Sequence, residues 1–365
     1  MPSLSYLDAL NDALERMDDL GYERGKGVDV ANHGPMGAEA LALMGRADDV
    51  AGWVRRYRRA LEHHEPPGAR FALDPADEAS WRPALGRFDR AGDWERLFAR
   101  ELSDAPWRDV LARWWPRLLP GLFAGLTHGL IRTAHAVRGL YAAASPTRLQ
   151  LTELARGLAY WAARYTELPG EPRLAGPHGV ASAIAALPRV PEKQPPPQRL
   201  ARLSRIPGYA ESLDGPAPEQ AERLLSEMTA EFAGVYLAHP ELPPVPLIHG
   251  VTAPAAARLV LPHLPRELHA PTLARLWQIQ AAMLLAFTTG PGAEAAPPPD
   301  DAPELAELTA RAVEHGDEHV VKFTEACLRE YALRPDPRFP AAAHAALLRV
   351  PRLDDGGGVS TVVRP

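Results

Sequence analysis

The sequence has a single cysteine, Cys327, among 365 residues. Neither an internal disulfide framework nor a cysteine-rich zinc site is therefore open to it. No Gly-x-Gly-x-x-Gly follows a strand pattern and no Walker-type Gly-Lys-Ser/Thr occurs, which sets aside dinucleotide and P-loop folds. A Gly-x-Ser-x-Gly elbow and a His-Glu-x-x-His pair are also missing. No stretch reaches the ~18 uninterrupted apolar residues of a membrane span. The N-terminal residues include Asp8, Asp12 and Glu15, where a secretory signal needs a basic start and an apolar run. Forty basic residues stand against forty-six acidic ones, a net charge of −6, so nucleic acid is not an expected partner. The absences point to a cytoplasmic enzyme or binding protein.

Strand patterns are equally scarce. Only residues 245–248 read as a short extended piece. Apolar positions recur instead at helical spacing, as in Leu7, Leu10, Leu14 and Met17, or Trp53, Val54 and Tyr57. Pro35 fits the first turn of a helix and Gly45 its C-terminal cap, which puts His33 just before a helix start. The expected fold is all-α: one composite multi-helix domain over residues 1–350, with proline-rich connecting loops at 188–197 and 290–303. A flexible tail follows at 351–365.

Residues 118–131 are apolar, Gly or Pro except for Thr127 and His128. Such a segment has no wet face, so it is expected to run through the middle of the fold as a helix, with His128 at its centre. A buried ring without a partner costs on the order of 1–3 kcal/mol, so His128 needs one. His135 lies seven residues further on. It points the same way but ~10.5 Å along the axis, too far to share one ion easily.

Thirteen histidines are the compositional oddity. His63, His64, His178, His239, His263, His269 and His344 sit beside Pro, Gly or charged residues, or on polar faces, and read as surface residues. His33, His128, His249 and His319 sit in apolar or turn contexts. His33 and His249 are each followed by Gly, which lets the backbone approach whatever the ring holds. Gly316 and Asp317 read as a C-cap and an N-cap, so one helix ends near His315 and the next begins at Glu318. His319 and Lys322 then share a helix face.

A buried, desolvated Lys322 loses proton affinity. The neutral amine can add carbon dioxide and become a carbamate, an anionic oxygen ligand. Several imidazoles with one such ligand suit a redox-active iron, as in non-haem iron oxygenases. The plainer alternatives are hydrogen-bonded core histidines and a Lys322 that snorkels to the surface, with Glu325 as its ion-pair partner. Cys327, on an amphipathic helix, reads as a small core residue.

At these residues the chain resembles the questin oxidase-like family. The similarity rests on Asn32-His33-Gly34-Pro35-Met36 with Gly45, Trp53 and Tyr57 after it, and on the run from Leu119 through His128 to Ile131. It continues in Leu247-Ile248-His249-Gly250-Val251-Thr252 and in Gly316-Asp317-Glu318-His319-Val320-Val321-Lys322. It spans residues 32–330. The resemblance implies an oxygenase with a histidine-rich iron site. Its fungal members are tied to oxidative, Baeyer–Villiger-type ring opening of anthraquinones in polyketide pathways. Those relatives often carry a second histidine one turn after the position of His128, where this chain has Arg132.

The expected function is iron-dependent oxidative ring opening, Baeyer–Villiger-like or C–C cleaving, of an aromatic polyketide- or anthraquinone-like substrate. His33, His128, His249, His319 and Lys322 are the expected ligands of Fe(II). His135 and Arg132 are expected catalytic residues, with Trp115 and Met36 facing the substrate. Dioxygen is the co-substrate, and electrons come from the substrate or from an external reductant such as NADPH. The alternatives are a non-catalytic helical binding protein and a zinc-dependent hydrolase.

Overall fold

A computed structural model describes residues 4–25, 30–189, 195–290, 296–298 and 302–353. The tail beyond 353, the middle of the 188–197 connector and parts of the 290–303 loop lie outside the described residues. Of the described residues 67% are helical, so the all-α expectation holds. Among the described residues the only sheet is antiparallel, with two strands of two residues, Glu23–Arg24 and Val30–Ala31.

The chain gathers into two compact units. The first runs to Glu167 and takes in Leu259–Pro265. The second comprises Leu168–Arg258 and Arg266–Arg352.

In the first unit, α1 (Tyr6–Arg16) is capped by the Ser5 hydroxyl, which accepts from the Asp8 amide. It buries Ala9, Leu10, Ala13 and Leu14. Helix α2 (Gly34–Leu43) is N-capped by His33 with Pro35 in its first turn. Helix α3 (Ala47–Ala60) opens on Asp48 and Asp49 and closes on Arg58 and Arg59, charges that oppose its dipole at both ends. Trp53, Val54 and Tyr57 form its buried face. Then follow α4 (Ala91–Asp104), α5 (Trp107–Leu118), α6 (His128–Ala142) and α7 (Arg148–Ala163). A capping box of Thr147 and Gln150 starts α7. Helices α6 and α7 come close at Gly129, where an added Cβ would lie 2.7 Å from the Trp161 Cα.

The segment 118–131 is as dry as expected but is not a helix throughout. Leu118, Leu119, Leu122 and Ala124 are buried. However, α5 ends at Leu118, a short 3-10 turn covers Leu119–Gly121, and α6 begins only at His128. Pro120 has no N–H to donate and interrupts the helical ladder. Gly125, Leu126 and Thr127 then adopt φ of 54°, 56° and 69°. His128 therefore stands at a helix start rather than a helix centre.

The second unit contains α8 (Ala221–Ala238), α9 (Pro244–Val260), α10 (His269–Phe287), α11 (Leu305–His315), α12 (Glu318–Leu333) and α13 (Arg338–Arg349). The extended piece expected at 245–248 is the first turn of α9. Prolines are tolerated there because the first amides of a helix have no partner to lose. The break at Gly316 and Asp317 is as expected. Gly316 has φ 81°, and the Asp317 carboxylate caps α12. Cys327 is a fully buried core residue. His239 is not on the surface: it is 5% exposed, with Nδ1 3.2 Å from Glu241. Among the described residues one stretch, Pro244–His263, is long and apolar enough to cross a membrane, and its most apolar 18 residues are 83% buried inside the protein.

Candidate metal centre

Two histidine rings meet in the first unit. Asn32 sits at the entry to α2 with its side-chain amide donating to the Gly21 carbonyl. Its Oδ1 accepts from the Gly34 amide and from the Tyr57 hydroxyl, and that hydroxyl in turn accepts from the His33 amide at 2.8 Å. The His33 amide is thereby held by Tyr57, which Asn32 in turn holds together with the Gly34 amide. Its ring Nδ1 lies 2.5 Å from the Ala31 carbonyl. His128 repeats this arrangement, with Nδ1 against the Gly125 carbonyl. A carbonyl oxygen only accepts, so each Nδ1 carries the hydrogen and each Nε2 presents a lone pair.

Those two Nε2 atoms are 2.6 Å apart, with the rings nearly perpendicular. His33 is 1% exposed and His128 7%. Two lone pairs facing each other at that distance, away from water, repel. A single cation between them, a shared proton or a metal ion, turns the repulsion into attraction. Carbonyl-anchored Nδ1–H groups with Nε2 directed inward are what a metal-binding histidine pair requires.

The second unit carries a related group. His249 on α9 is fully buried. The His319 ring on α12 lies 6.5 Å from it, centroid to centroid. Asp317 Oδ1 accepts from the His319 and Val320 amides and lies 3.3 Å from His319 Nδ1. Burial alone would raise the Asp317 pKa, but His319 and the two amides hold it below the ordinary carboxylate value. Asp317, Glu318 and His319 offer ligand atoms within 4.8 Å of one another. Lys322, one turn further, is 4% exposed, so it does not snorkel. The Glu325 carboxylate accepts from Arg329 at 2.9 Å.

The glycines after His33 and His249 also have a packing role. A Cβ at Gly34 would lie 2.4 Å from Met17 Sδ, and one at Gly250 would lie 2.1 Å from the Phe232 ring. Both positions are closely packed by neighbouring side chains, which leave no room for a β-carbon.

Of the other residues singled out, Arg132 is buried and donates to both Glu153 oxygens at 2.6 and 2.8 Å. His135 lies with Nδ1 2.7 Å from Glu39, which also accepts from Arg138 and from the Tyr6 hydroxyl. Burial raises the Glu39 pKa, but Arg138 and His135 outweigh it and bring it to about 2. A cavity of about 10 Å³ beside His135 is lined by Pro35, Glu39, Gln150 and Glu153 among others, room for about one water. Trp115 is fully buried edge-on against Trp161, 5.0 Å between centroids, and Met36 is 1% exposed on α2. Sequence reasoning missed Glu39, Tyr57 and Arg138 as parts of these networks. Glu39 left a signal, as the one acid on the apolar helix α2.

The description of the questin oxidase-like family matches residues 36–327. The chain belongs to the questin oxidase-like family. His128, His249, His319 and Lys322 lie inside the matched segment and His33 just before it. Comparison with curated proteins returns no match. The family's description points to an oxidase or oxygenase type of activity.

Proposed function

We propose that this questin oxidase-like protein is a non-haem iron oxygenase that opens an aromatic polyketide- or anthraquinone-like ring, by Baeyer–Villiger-like or C–C cleaving oxygenation. The observation that carries the metal reading is the His33–His128 pair, with both Nε2 lone pairs directed at one point 2.6 Å across. Family membership supports the oxygenase reading.

His33 and His128 hold the iron through Nε2, while the Ala31 and Gly125 carbonyls keep the hydrogens on Nδ1. The remaining ligands, as the sequence motifs have them, are His249, His319 and Lys322, the last as a carbamate. A bound ferrous ion supplies the one-electron chemistry that lets dioxygen react with a closed-shell organic substrate. The burial of both rings excludes bulk water, which strengthens their hold on a cation. Further electrons come from the substrate or an external reductant such as NADPH. Arg132 and His135 act through their carboxylate partners, Glu153 and Glu39, which tie α6 to α7 and α2.

Metal analysis after reconstitution with Fe(II) tests this reading. Iron near one per chain, lost on His128→Ala, together with oxygen uptake on a hydroxylated anthraquinone, is the expected outcome. The same count decides whether the two ligand sets serve one ion or two. A folded protein that takes up no metal would sink the proposal in favour of a helical binding protein. Zinc in place of iron, without oxygen uptake, would favour a hydrolase.

A further inference from the structure

Three consecutive residues before His128 have left-handed backbones: Gly125 at φ 54°, Leu126 at 56° and Thr127 at 69° with ψ 2°. One left-handed residue is ordinary at a turn when it is Gly or Asn. Two in succession that carry β-carbons are not, and a β-branched residue there is an outlier. Each costs roughly the strain of crowding Cβ against the carbonyl. Strain of this kind persists where the surrounding structure fixes it, and it collects at functional sites.

The turn has one visible product. It folds the Gly125 carbonyl back onto His128, where that oxygen receives both the backbone amide, at 3.4 Å, and the ring Nδ1–H. A helix running straight through this segment would send the Gly125 carbonyl to the amide four residues on, along the axis. The ring would then lose its acceptor. Helix α6 begins immediately afterwards, with the Thr127 carbonyl accepting from the Ile131 amide.

We infer that Gly125–Leu126–Thr127 is a positioning turn: its left-handed backbone sets the Nδ1–H tautomer of His128 and aims the Nε2 lone pair at His33. The inference rests on the metal reading for its purpose, but the tautomer and the strain are properties of the metal-free protein. Leu126 is the residue to change. It is half-buried, whereas Thr127 is fully buried.

Three measurements test it. In metal-free protein with ¹⁵N-labelled histidine, the neutral His128 ring is expected as the Nδ1–H tautomer. An Nε2–H ring overturns the inference whether or not iron binds. A correct tautomer in a protein that binds no metal overturns the proposed function and leaves the turn's role intact. Leu126→Ala and Leu126→Gly remove nearly the same side chain and differ in the β-carbon. At an ordinary position the glycine variant melts lower. Here it is expected to melt higher, by about 2–4 °C, and the ordinary order refutes the strain. Leu126→Pro fixes φ near −65° and forbids the turn. It is expected to weaken Fe(II) binding about 10–100-fold, the usual effect of losing a partner of a ligating histidine, while Leu126→Gly keeps it within about twofold. Unchanged affinity in a folded Leu126→Pro overturns the inference. Should that variant not fold, the tautomer and the melting order decide.

Discussion

His33 and His128, ninety-five residues apart in the chain, face each other Nε2 to Nε2 at 2.6 Å with both Nδ1 atoms bound to carbonyl oxygens. Neither ring can turn to relieve the contact without taking its Nδ1–H away from the carbonyl that accepts it. The arrangement therefore gains more from a cation than an isolated histidine would. His33→Ala and His128→Ala should each lower Fe(II) affinity by at least the ~10–100-fold that accompanies loss of a ligand's hydrogen-bonding partner. Competition titration against a chelator measures this directly. Equal affinity in both variants and the wild type would remove the pair from the metal site.

Glu39 makes acid stability a separate test. Its pKa falls from 4.5 to about 2 on folding, because Arg138 and His135 outweigh the cost of burial. A carboxylate depressed in the folded state contributes stability that is present above its unfolded value and is lost as the pH falls through its folded value. The drop of 4.5 to about 2 corresponds to ~3 kcal/mol, present above about pH 4.5 and lost progressively down to about pH 2. Glu39→Gln should lower stability at neutral pH by about 3–5 kcal/mol, since Arg138 stays buried without its counter-charge. It should also flatten the urea-midpoint profile between pH 4.5 and 2. An unchanged acid slope would show that Glu39 is not the group responsible.

Much of the helical frame was legible because its signals are local. Gly316 and Asp317 stop one helix and start the next by cap chemistry alone, and Pro35 fixes the start of α2. The turn before His128 was not legible. Leu126 and Thr127 have no preference for the left-handed region, and surrounding structure imposes it on them. An apolar run that is dry because it is enclosed looks, in sequence, like one that is dry because it is a buried helix. The residues of the His33–His128 pair could be named from motif context, whereas Asn32, Tyr57 and Glu39 acquire their partners only through tertiary contacts.

Arg132 gives a case in which structure and chemistry can be separated. Its guanidinium stays charged against burial because Glu153 lies beside it, bidentate and itself buried. Arg132→Ala should cost about 3–5 kcal/mol, mostly from the carboxylate left behind. The double change Arg132→Met with Glu153→Leu should return to within about 1–2 kcal/mol of the wild type, measured as a urea-unfolding cycle. If that folded double variant also keeps its turnover, Arg132 is a strut between α6 and α7. If turnover is lost at preserved stability, Arg132 is a catalytic residue, as expected from the sequence.

Gly129 links the helix packing to the site. A β-carbon there would meet the Trp161 Cα and Cβ at 2.7 Å, and a backbone atom cannot swing aside as a side-chain tip can. In an isolated helix Gly→Ala is favourable by about 1 kcal/mol. Overpacking against α7 costs about 1–3 kcal/mol, so the clash should prevail. Gly129→Ala is expected to lower the melting temperature and, because the residue follows His128, to weaken metal binding as well. A more stable variant would mean that α6 and α7 separate more readily than their packing implies.

Lys322 carries the last prediction, and carbon dioxide is the reagent that tests it. Lys322 is 4% exposed, and addition of carbon dioxide to its amine, with release of protons, would replace the ammonium by a carbamate anion that a metal would neutralise. If Lys322 is carboxylated, iron uptake by protein stripped of carbon dioxide should be slow and should rise on addition of bicarbonate. Lys322→Ala should bind iron at least about tenfold more weakly, as expected when an anionic partner of the site is removed, and should no longer respond to bicarbonate. A short carboxylate such as formate or acetate, placed in the space left by the side chain, should restore part of the binding. Bicarbonate-independent uptake in the wild type, matched by Lys322→Ala, would leave the histidines as the only ligands among the five residues and remove the carbamate from the proposal.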